Sequence, residues 1–355
     1  MLAPDPVLPR RDALLRPETM AGVLSQRLHA GVPVDACERM YVKYRVGDSV
    51  RVVYRYRVGE TTAFAAARSG RRDGVPAPEV DAALYPFPHD RKLAALPRLP
   101  GRLIAWAAEQ SATAQLDGAY AKVQRADGER RGLRALADQD AVRVPRLLAD
   151  EDGVLTIEAL PGRPPDLHGL GRSLRALHNL KRDSPSLGNA TAQSQNGVDP
   201  GARDIKRDSP SLGNFVRLDR ARLVTAAEVI AAARPEAGDA AKRFVERLGA
   251  PPEQPEVLVH GDANLGNAVL LEDGTVALLD LEHLAVGPAA ADVGQVVANL
   301  LVAGADARPF LEGYGTLDRE ALSWYTRASL LARVALPAIS RYRPQLIARL
   351  PRLLA

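Results

Sequence analysis

Residues 257–294 read VLVHGDANLGNAVLLEDGTVALLDLEHLAVGPAAADVG. The stretch contains an apolar run, the triplet HGD at residues 260–262, Asn267, and a second apolar run that ends on an aspartate. Apolar runs of this length predict strands, and we expect residues 257–260 to pair with residues 268–280. The polar residues then lie at the ends of the paired strands, so they are predicted to meet in one cleft.

The polar residues of this stretch follow the order used in phosphoryl transfer. In that order an Asp accepts the proton of the substrate hydroxyl, and an Asn and a later Asp hold Mg²⁺. Asp262, Asn267 and Asp280 have this order here. Mg²⁺ takes oxygen ligands, and one or two carboxylates plus nucleotide phosphates usually suffice. The alternative is a strand–turn–strand whose polar residues only satisfy the turn, and it requires H-G-D-x4-N to have arisen by chance.

Several segments resemble the aminoglycoside phosphotransferase and choline kinase family, a branch of the protein-kinase-like fold. They are HGDANLGN (260–267), LLDLEHLAVGPAAADVG (278–294), FLEGYG (310–315) and LSWYTRASLL (322–331). The resemblance covers roughly residues 101–355. It implies an α+β, two-lobe fold with a small β-rich N-lobe and a mostly helical C-lobe, here with an extra N-terminal β-containing subdomain.

The resemblance also implies a role for each polar residue of the stretch. Asp262 would be the catalytic base, and Asn267 and Asp280 would be the metal ligands. Glu282 stands where the family often has an acidic residue, and it would assist the metal. Asp292 matches an aspartate that braces the catalytic loop, and His260 would hold that loop rather than carry a proton.

A nucleotide-binding lysine is expected upstream, on the third strand of the N-lobe, paired with an acidic residue of the next helix. Lys122 fits this description, since it lies on the third predicted strand of residues 102–125. The alternative for Lys122 is a solvated strand lysine. Glu129 is the best partner, although a glutamate in the first turn of a helix is also favoured by the helix dipole alone.

The hinge that would meet the adenine is predicted at Glu158-Ala159-Leu160, so Glu158 and Leu160 are assigned to nucleotide binding. One feature departs from protein kinases, which cover the phosphates with a Gly-rich loop. The corresponding turn here, residues 107–111, has the sequence AAEQS and no glycine. The residues that would contact the phosphates from this turn therefore stay open.

The chain is predicted to have three parts. Residues 1–100 form a cap-like subdomain, residues 101–160 the nucleotide-binding N-lobe, and residues 161–355 the helical C-lobe. The first part weakly resembles the N-terminal cap of bacterial maltokinase-like proteins, and the alternative is a β-rich subdomain with no ligand of its own.

Periodicity and turn residues predict the elements within these parts. Period-two alternation on both sides of Gly47-Asp48 predicts a β-hairpin over residues 38–58, which residues 59–68 extend; residues 69–100 are expected to be irregular. Further predicted strands are residues 103–107, 111–116, 119–125, 142–150 and 154–160. Predicted helices are residues 129–138, 169–180, 223–234 and 239–249, with more helices over residues 291–355.

An exact repeat interrupts the C-lobe, since KRDSPSLGN occurs at residues 181–189 and again at 206–214. Two copies do not make a solenoid, and the segment between them is polar. We interpret residues 181–214 as a local duplication, natural or artificial, in a surface loop. A tolerated insertion is favoured over a functional lid.

Composition limits the class of protein. The 355 residues carry 47 basic and 43 acidic side chains, which is ordinary for a globular protein. A single cysteine excludes a disulfide framework and a cysteine-rich metal site. Basic residues are scattered rather than clustered, so no nucleic-acid partner is expected. No apolar run approaches the length of a membrane span, which predicts a cytoplasmic protein without membrane contact.

The predicted activity is ATP- and Mg²⁺-dependent transfer of the γ-phosphate to a hydroxyl of a small molecule. The alternative is a pseudokinase that binds nucleotide or a partner without turnover. Residues 301–355 hold eight arginines and four acidic residues, which argues against a polycationic aminoglycoside acceptor. A sugar or alcohol-like metabolite is favoured, while the oligomeric state stays open.

Overall fold

The structure is a computed structural model that describes residues 2–71, 73–180 and 218–355. The duplication predicted at residues 181–214 lies outside the described residues. The strands are β1 Ala36–Arg45, β2 Ser49–Val58, β3 Thr61–Ser69, β4 Val75–Ala77, β5 Ala82–Pro86, β6 Arg102–Ala107, β7 Ser111–Gln115, β8 Ala119–Gln124, β9 Leu147–Glu151, β10 Val154–Glu158, β11 Glu256–Val259, β12 Ala268–Leu270, β13 Val276–Leu278 and β14 Ala285–Pro288.

The helices follow the same order along the chain. They are α1 Arg11–Leu14, α2 Pro17–Leu28, α3 Gly128–Ala135, α4 Leu167–His178, α5 Arg220–Ala233, α6 Pro235–Leu248, α7 Ala289–Ala303, α8 Arg308–Tyr314, α9 Arg319–Ser329, α10 Leu336–Ser340 and α11 Pro344–Leu353. A π-helical segment, Leu330–Ala335, joins α9 to α10. The helices predicted from periodicity are confirmed, with ends that differ by a few residues.

The N-terminal part contains an antiparallel sheet with strand order β1-β2-β3-β5-β4. The predicted hairpin and its extension are confirmed as β1 to β3. The expectation that residues 69–100 are irregular is wrong in part, because β4 and β5 continue the sheet. Pro76 and Pro86 argue against strands in the sequence, because proline is found mainly at strand ends and on edge strands. In the structure Pro86 ends β5, and Pro76 lies in the edge strand β4.

Both faces of this sheet pack against other parts of the protein. Val52 and Tyr54 of β2 belong to the same core as the side chains of α5, α6 and the last helices. Val53, on the opposite face of β2, packs in a core that includes Trp106 and Val123 of the next sheet. The N-terminal sheet therefore lies between the N-lobe and the C-terminal helices.

The second sheet has the order β6-β7-β8-β10-β9, with all pairs antiparallel. Helix α3 lies between β8 and β9 in the chain. The strand predicted at residues 142–150 is shorter than expected, because β9 begins only at Leu147. Pro145, just before it, has no N–H for a strand hydrogen bond.

The C-terminal part is mostly helical, with α4 packed on α8, α5 on α6 and α7 on α9. The prediction that residues 257–260 pair with 268–280 is wrong. Instead β12 pairs with β13 as a closed hairpin, and β11 pairs with β14. After Val259 a loop carries the chain away from β11 before β12 begins. Strand β11 therefore pairs with β14 and not with β12.

These layers give the predicted α+β, two-lobe architecture, with a β-rich N-lobe, a helical C-lobe and an extra N-terminal sheet. The division at residues 100 and 160 stays a prediction, because the core described above runs through residues 1–100 and the C-terminal helices. Within the described residues, no helix is both long enough and apolar enough to cross a membrane.

Candidate active site

The loop after β11 is fixed by one buried carboxylate. Asp292, in the first turn of α7, is fully buried. Its Oδ2 accepts hydrogen bonds from the backbone N–H of His260 (2.6 Å) and from Nε2 of His178 (3.1 Å), and its Oδ1 accepts one from the N–H of Gly261 (2.9 Å). Gly261 has a φ of 82°, and a Cβ there would clash with the carbonyl of His283. The backbone that carries Asp262 is therefore held tightly.

His260 is part of the same brace. Its Nε2 donates to the carbonyl oxygen of Leu279 at 2.8 Å, because a carbonyl only accepts. Its Nδ1 then accepts from the backbone N–H of Asp262 at 3.3 Å. Both ring nitrogens are engaged inside the fold, which is the arrangement expected of a residue that holds the loop.

The structure brings Asp262 and Asn267 together. The Asn267 Nδ2 donates to the backbone oxygen of Asp262 at 2.9 Å and lies 3.3 Å from its Oδ2. The amide oxygen of Asn267 is thereby turned away from Asp262. The other carboxylate oxygen of Asp262, Oδ1, accepts from Nε2 of Gln295 at 2.6 Å.

The structure also brings Lys122, Glu129 and Asp280 together. The Lys122 Nζ lies 2.9 Å from Glu129 Oε2 and 3.8 Å from Asp280 Oδ1. Burial disfavours the charged lysine, but the charges of Glu129 and Asp280 outweigh it and raise the pKa of Lys122. Glu129 is 1% exposed, and burial raises its pKa. The N-lobe lysine thus meets the aspartate that follows β13.

Two glycines of α3 allow this meeting. A Cβ on Gly128 would clash with the carbonyl oxygen of Glu282, and one on Gly132 with that of Leu281. The i, i+4 spacing puts both glycines on one face of the helix, where the segment after Asp280 packs closely. Asp280 itself has a φ of 56°, a left-handed conformation that costs a non-glycine residue about 1 kcal/mol or more.

Glu282 lies on the short turn that follows Asp280. Burial raises the pKa of Glu282, and the nearby negative charges of Asp280 and Asp262 add to this effect. Three acidic residues therefore face a common region. Within the described residues, however, no three His, Cys, Asp or Glu side chains are grouped so that they could hold a metal ion alone.

The predicted hinge begins at the last residue of β10 and is separate from these contacts. The Glu158 carboxylate is bound by Arg143 (2.8 Å) and by the N–H of Arg146 (3.0 Å). Burial opposes ionisation of Glu158, but these bonds outweigh it and lower its pKa. Its side chain is thus engaged within the protein, and Leu160 lies half-buried two residues past the strand.

Comparison with known families gives one clear match. Residues 117–325 match the model of the phosphotransferase enzyme family, APH. The chain belongs to this family. The resemblance that rested on the HGDANLGN and ADVG segments is thereby confirmed, while the likeness of residues 1–100 to maltokinase-like caps stays a prediction.

Several solved structures are similar to this family member at low identity. A choline/ethanolamine kinase family protein from Mesorhizobium loti is 16% identical, with 74% of this chain and 92% of that chain covered and a TM-score of 0.47. The ADP-bound aminoglycoside phosphotransferase APH(2'')-Ib is 15% identical, with 71% of this chain and 91% of that chain covered and a TM-score of 0.43. The macrolide 2'-phosphotransferase from Brachybacterium faecium is 15% identical, with 95% of this chain and 98% of that chain covered and a TM-score of 0.41. No curated protein sequence matches the chain.

This phosphotransferase family member anchors the turn between β6 and β7 in a way that the sequence did not reveal. Glu109, at the centre of the turn, is 5% exposed and has a φ of 63°. Its carboxylate lies 3.0 Å from Arg51 of β2 and 3.1 Å from Arg91. Its backbone N–H donates to Asp90 at 2.9 Å. The N-terminal sheet therefore holds the turn that lacks the kinase glycines.

Proposed function

We propose that the chain is an ATP- and Mg²⁺-dependent phosphotransferase that moves the γ-phosphate to a hydroxyl group of a small molecule. The observation that carries this proposal is the contact of Lys122 with both Glu129 and Asp280, beside the braced loop of Asp262. One cation from the N-lobe and the acids of the C-lobe thus share one cleft. This is the charge pattern needed to hold nucleotide phosphates.

In the proposed reaction the acceptor hydroxyl gives its proton to the carboxylate of Asp262. The oxygen uses the released electron pair to form a bond to the γ-phosphorus. The bond from that phosphorus to the β–γ bridging oxygen breaks, and ADP leaves with its electron pair. Asp262 positions the hydroxyl as well as accepting its proton, and positioning supplies much of the rate in such transfers.

The donor set fits Mg²⁺. Asn267 offers an amide oxygen, Asp280 a carboxylate, and Glu282 a second carboxylate that would assist. With phosphate oxygens, such a set suffices for Mg²⁺, which would neutralise charge on the β- and γ-phosphates. The Lys122 ammonium would orient the phosphates, and the backbone at Glu158 and Leu160 would meet the adenine.

The acceptor is proposed to be a sugar or alcohol-like metabolite rather than a polycationic aminoglycoside. The excess of arginine over acidic residues in residues 301–355 supports this proposal. A polycation approaching this part of the chain would be repelled by its net positive charge.

The proposal is tested with wild-type protein, MgATP and a panel of hydroxyl-bearing metabolites, with ADP release and ³¹P NMR of the product as readouts. A rise in melting temperature with MgATP, together with a phosphorylated product, is expected. A thermal shift without any turnover would favour the pseudokinase. The absence of both a thermal shift and turnover would contradict the kinase and the pseudokinase alike.

Replacing Lys122 by Met is expected to weaken MgATP binding. A hydrogen bond to a charged group is worth about 1.5–3 kcal/mol, which corresponds to about a 10- to 150-fold higher Kd. The measurement is isothermal titration with a non-hydrolysable ATP analogue. Lys242→Met, on the exposed face of α6, is the matched control. An unchanged Kd in the folded Lys122 variant would contradict the assignment of this lysine to the nucleotide.

A further inference from the structure

Asp262 is connected to a buried arginine of the C-lobe through one glutamine. Gln295 of α7 is 4% exposed, and its Nε2 donates to Asp262 Oδ1 at 2.6 Å. The Nη1 of Arg333, which is 8% exposed, donates to Oε1 of the same glutamine. Arg333 also donates to the carbonyl oxygen of Gly261 at 3.1 Å. Arg333 thus holds the loop in two ways, through Gln295 at the Asp262 side chain and directly at the Gly261 backbone.

The chemistry of the two end groups fixes the glutamine in one orientation. A guanidinium group only donates hydrogen bonds, and an ionised carboxylate only accepts them. The amide oxygen of Gln295 must therefore face Arg333, and its amide nitrogen must face Asp262. A neutral side chain that could turn either way is locked as a donor to the carboxylate.

The helix around Arg333 is distorted at the point of contact. Residues Leu330–Ala335 form a π-helical segment between α9 and α10. Pro337 follows, and it has no N–H to donate to the carbonyl of Arg333 four residues earlier. Insertions of this kind are rare inside α-helices and often mark functional positions. Here the distorted turn presents a buried guanidinium to the catalytic loop.

We propose that Gln295 and Arg333 are positioning residues for the phosphoryl transfer described above, on which this inference rests. Gln295 occupies one oxygen of the Asp262 carboxylate and thereby fixes the rotation of the group. The second oxygen, Oδ2, is then presented to the acceptor hydroxyl. Asn267 cannot supply this anchor, because its bond to Oδ2 is long (3.3 Å) and lies on the oxygen that must receive the proton.

The test compares two variants of Gln295 with a neighbouring control. Gln295→Met keeps the length of the side chain and removes both hydrogen bonds. Gln295→Glu keeps an acceptor for Arg333 but places a carboxylate, not a donor, against Asp262. The control is Asn299→Leu, one turn along α7, where the side chain donates to the backbone oxygen of Gln295. ADP release from MgATP, with water as the acceptor, gives kcat and KM.

We expect kcat to fall about 10- to 100-fold in both Gln295 variants, since a misplaced catalytic group costs that much. KM for MgATP and the affinity for MgADP should be unchanged, and Asn299→Leu should match the wild type. If the role of Gln295 were only structural, Gln295→Glu would retain kcat through its bond to Arg333, and that result would overturn the inference.

An activity-independent measurement separates this inference from the proposed function. The melting temperatures of Gln295→Met, Asp262→Ala and the double variant form a cycle, and the two changes should not be additive because the side chains are in contact. Additive shifts would overturn the contact. Absent turnover in the wild type, both with water and with the panel of hydroxyl-bearing metabolites, would overturn the proposed function and this inference together. Normal wild-type turnover that Gln295→Met retains would overturn only the inference.

Discussion

Replacing Asp262 by Asn is expected to lower kcat about 10²- to 10⁴-fold, the usual contribution of a general base. The amide keeps the shape of the side chain and an oxygen that can accept from Gln295. It has no ionised oxygen to take the proton of the acceptor hydroxyl. KM for MgATP should change little, because the Lys122, Glu129 and Asp280 contacts are left intact.

The control for this prediction is the same substitution at an exposed aspartate nearby. Asp273 lies in the exposed turn between β12 and β13, where its carboxylate accepts from the N–H of Thr275. Asp273→Asn should retain wild-type turnover and nearly wild-type stability. Equal turnover of Asp262→Asn and the wild type, measured as phosphorylated product at saturating MgATP, would remove Asp262 from the role of base.

The part of the site that could be predicted from sequence is the part that is contiguous in the chain. Asp262 and Asn267 share one loop, and a short hairpin returns the chain to Asp280. Few conformations of so short a segment separate these residues widely, so their spacing predicts their meeting. Lys122 and Glu129 are also close in sequence, on a strand and the helix that follows it.

The interactions that escaped prediction join distant parts of the chain. Gln295 and Arg333 meet through the packing of α7 against the helices after it, and no local pattern marks a glutamine as a donor to Asp262. The contact of Glu109 with Arg51 depends on the N-terminal sheet lying over the β6–β7 turn. The pairing of β11 with β14 is likewise non-local. Gly128 and Gly132, four residues apart in a short helix, are a sequence signal for a different contact, the close approach of residues 281–282 to α3.

The largest expected loss of stability follows from replacing Asp292 by Ala. The carboxylate accepts from two backbone N–H groups and from His178, and all these donors are buried. Because these donors would lose their buried, charged partner, the free energy of unfolding should fall by about 3–5 kcal/mol. Chemical denaturation measures the change, with Asp138→Ala, at an exposed position, expected within about 0.5 kcal/mol of the wild type.

The pH dependence of this difference gives a sharper test. Burial alone would raise the pKa of Asp292, but the hydrogen bond and charge of His178 outweigh it and lower the pKa in the folded state. A carboxyl whose folded pKa lies below its unfolded value of about 3.9 stabilises the fold above that pH, and loses this effect as the pH falls through the folded pKa. The wild type should therefore keep its advantage over Asp292→Ala from neutral pH to about pH 5 and lose it progressively below about pH 4. A stability difference that instead vanished near neutral pH would show that Asp292 is protonated in the fold, and that it cannot brace the loop of Asp262 as an anion.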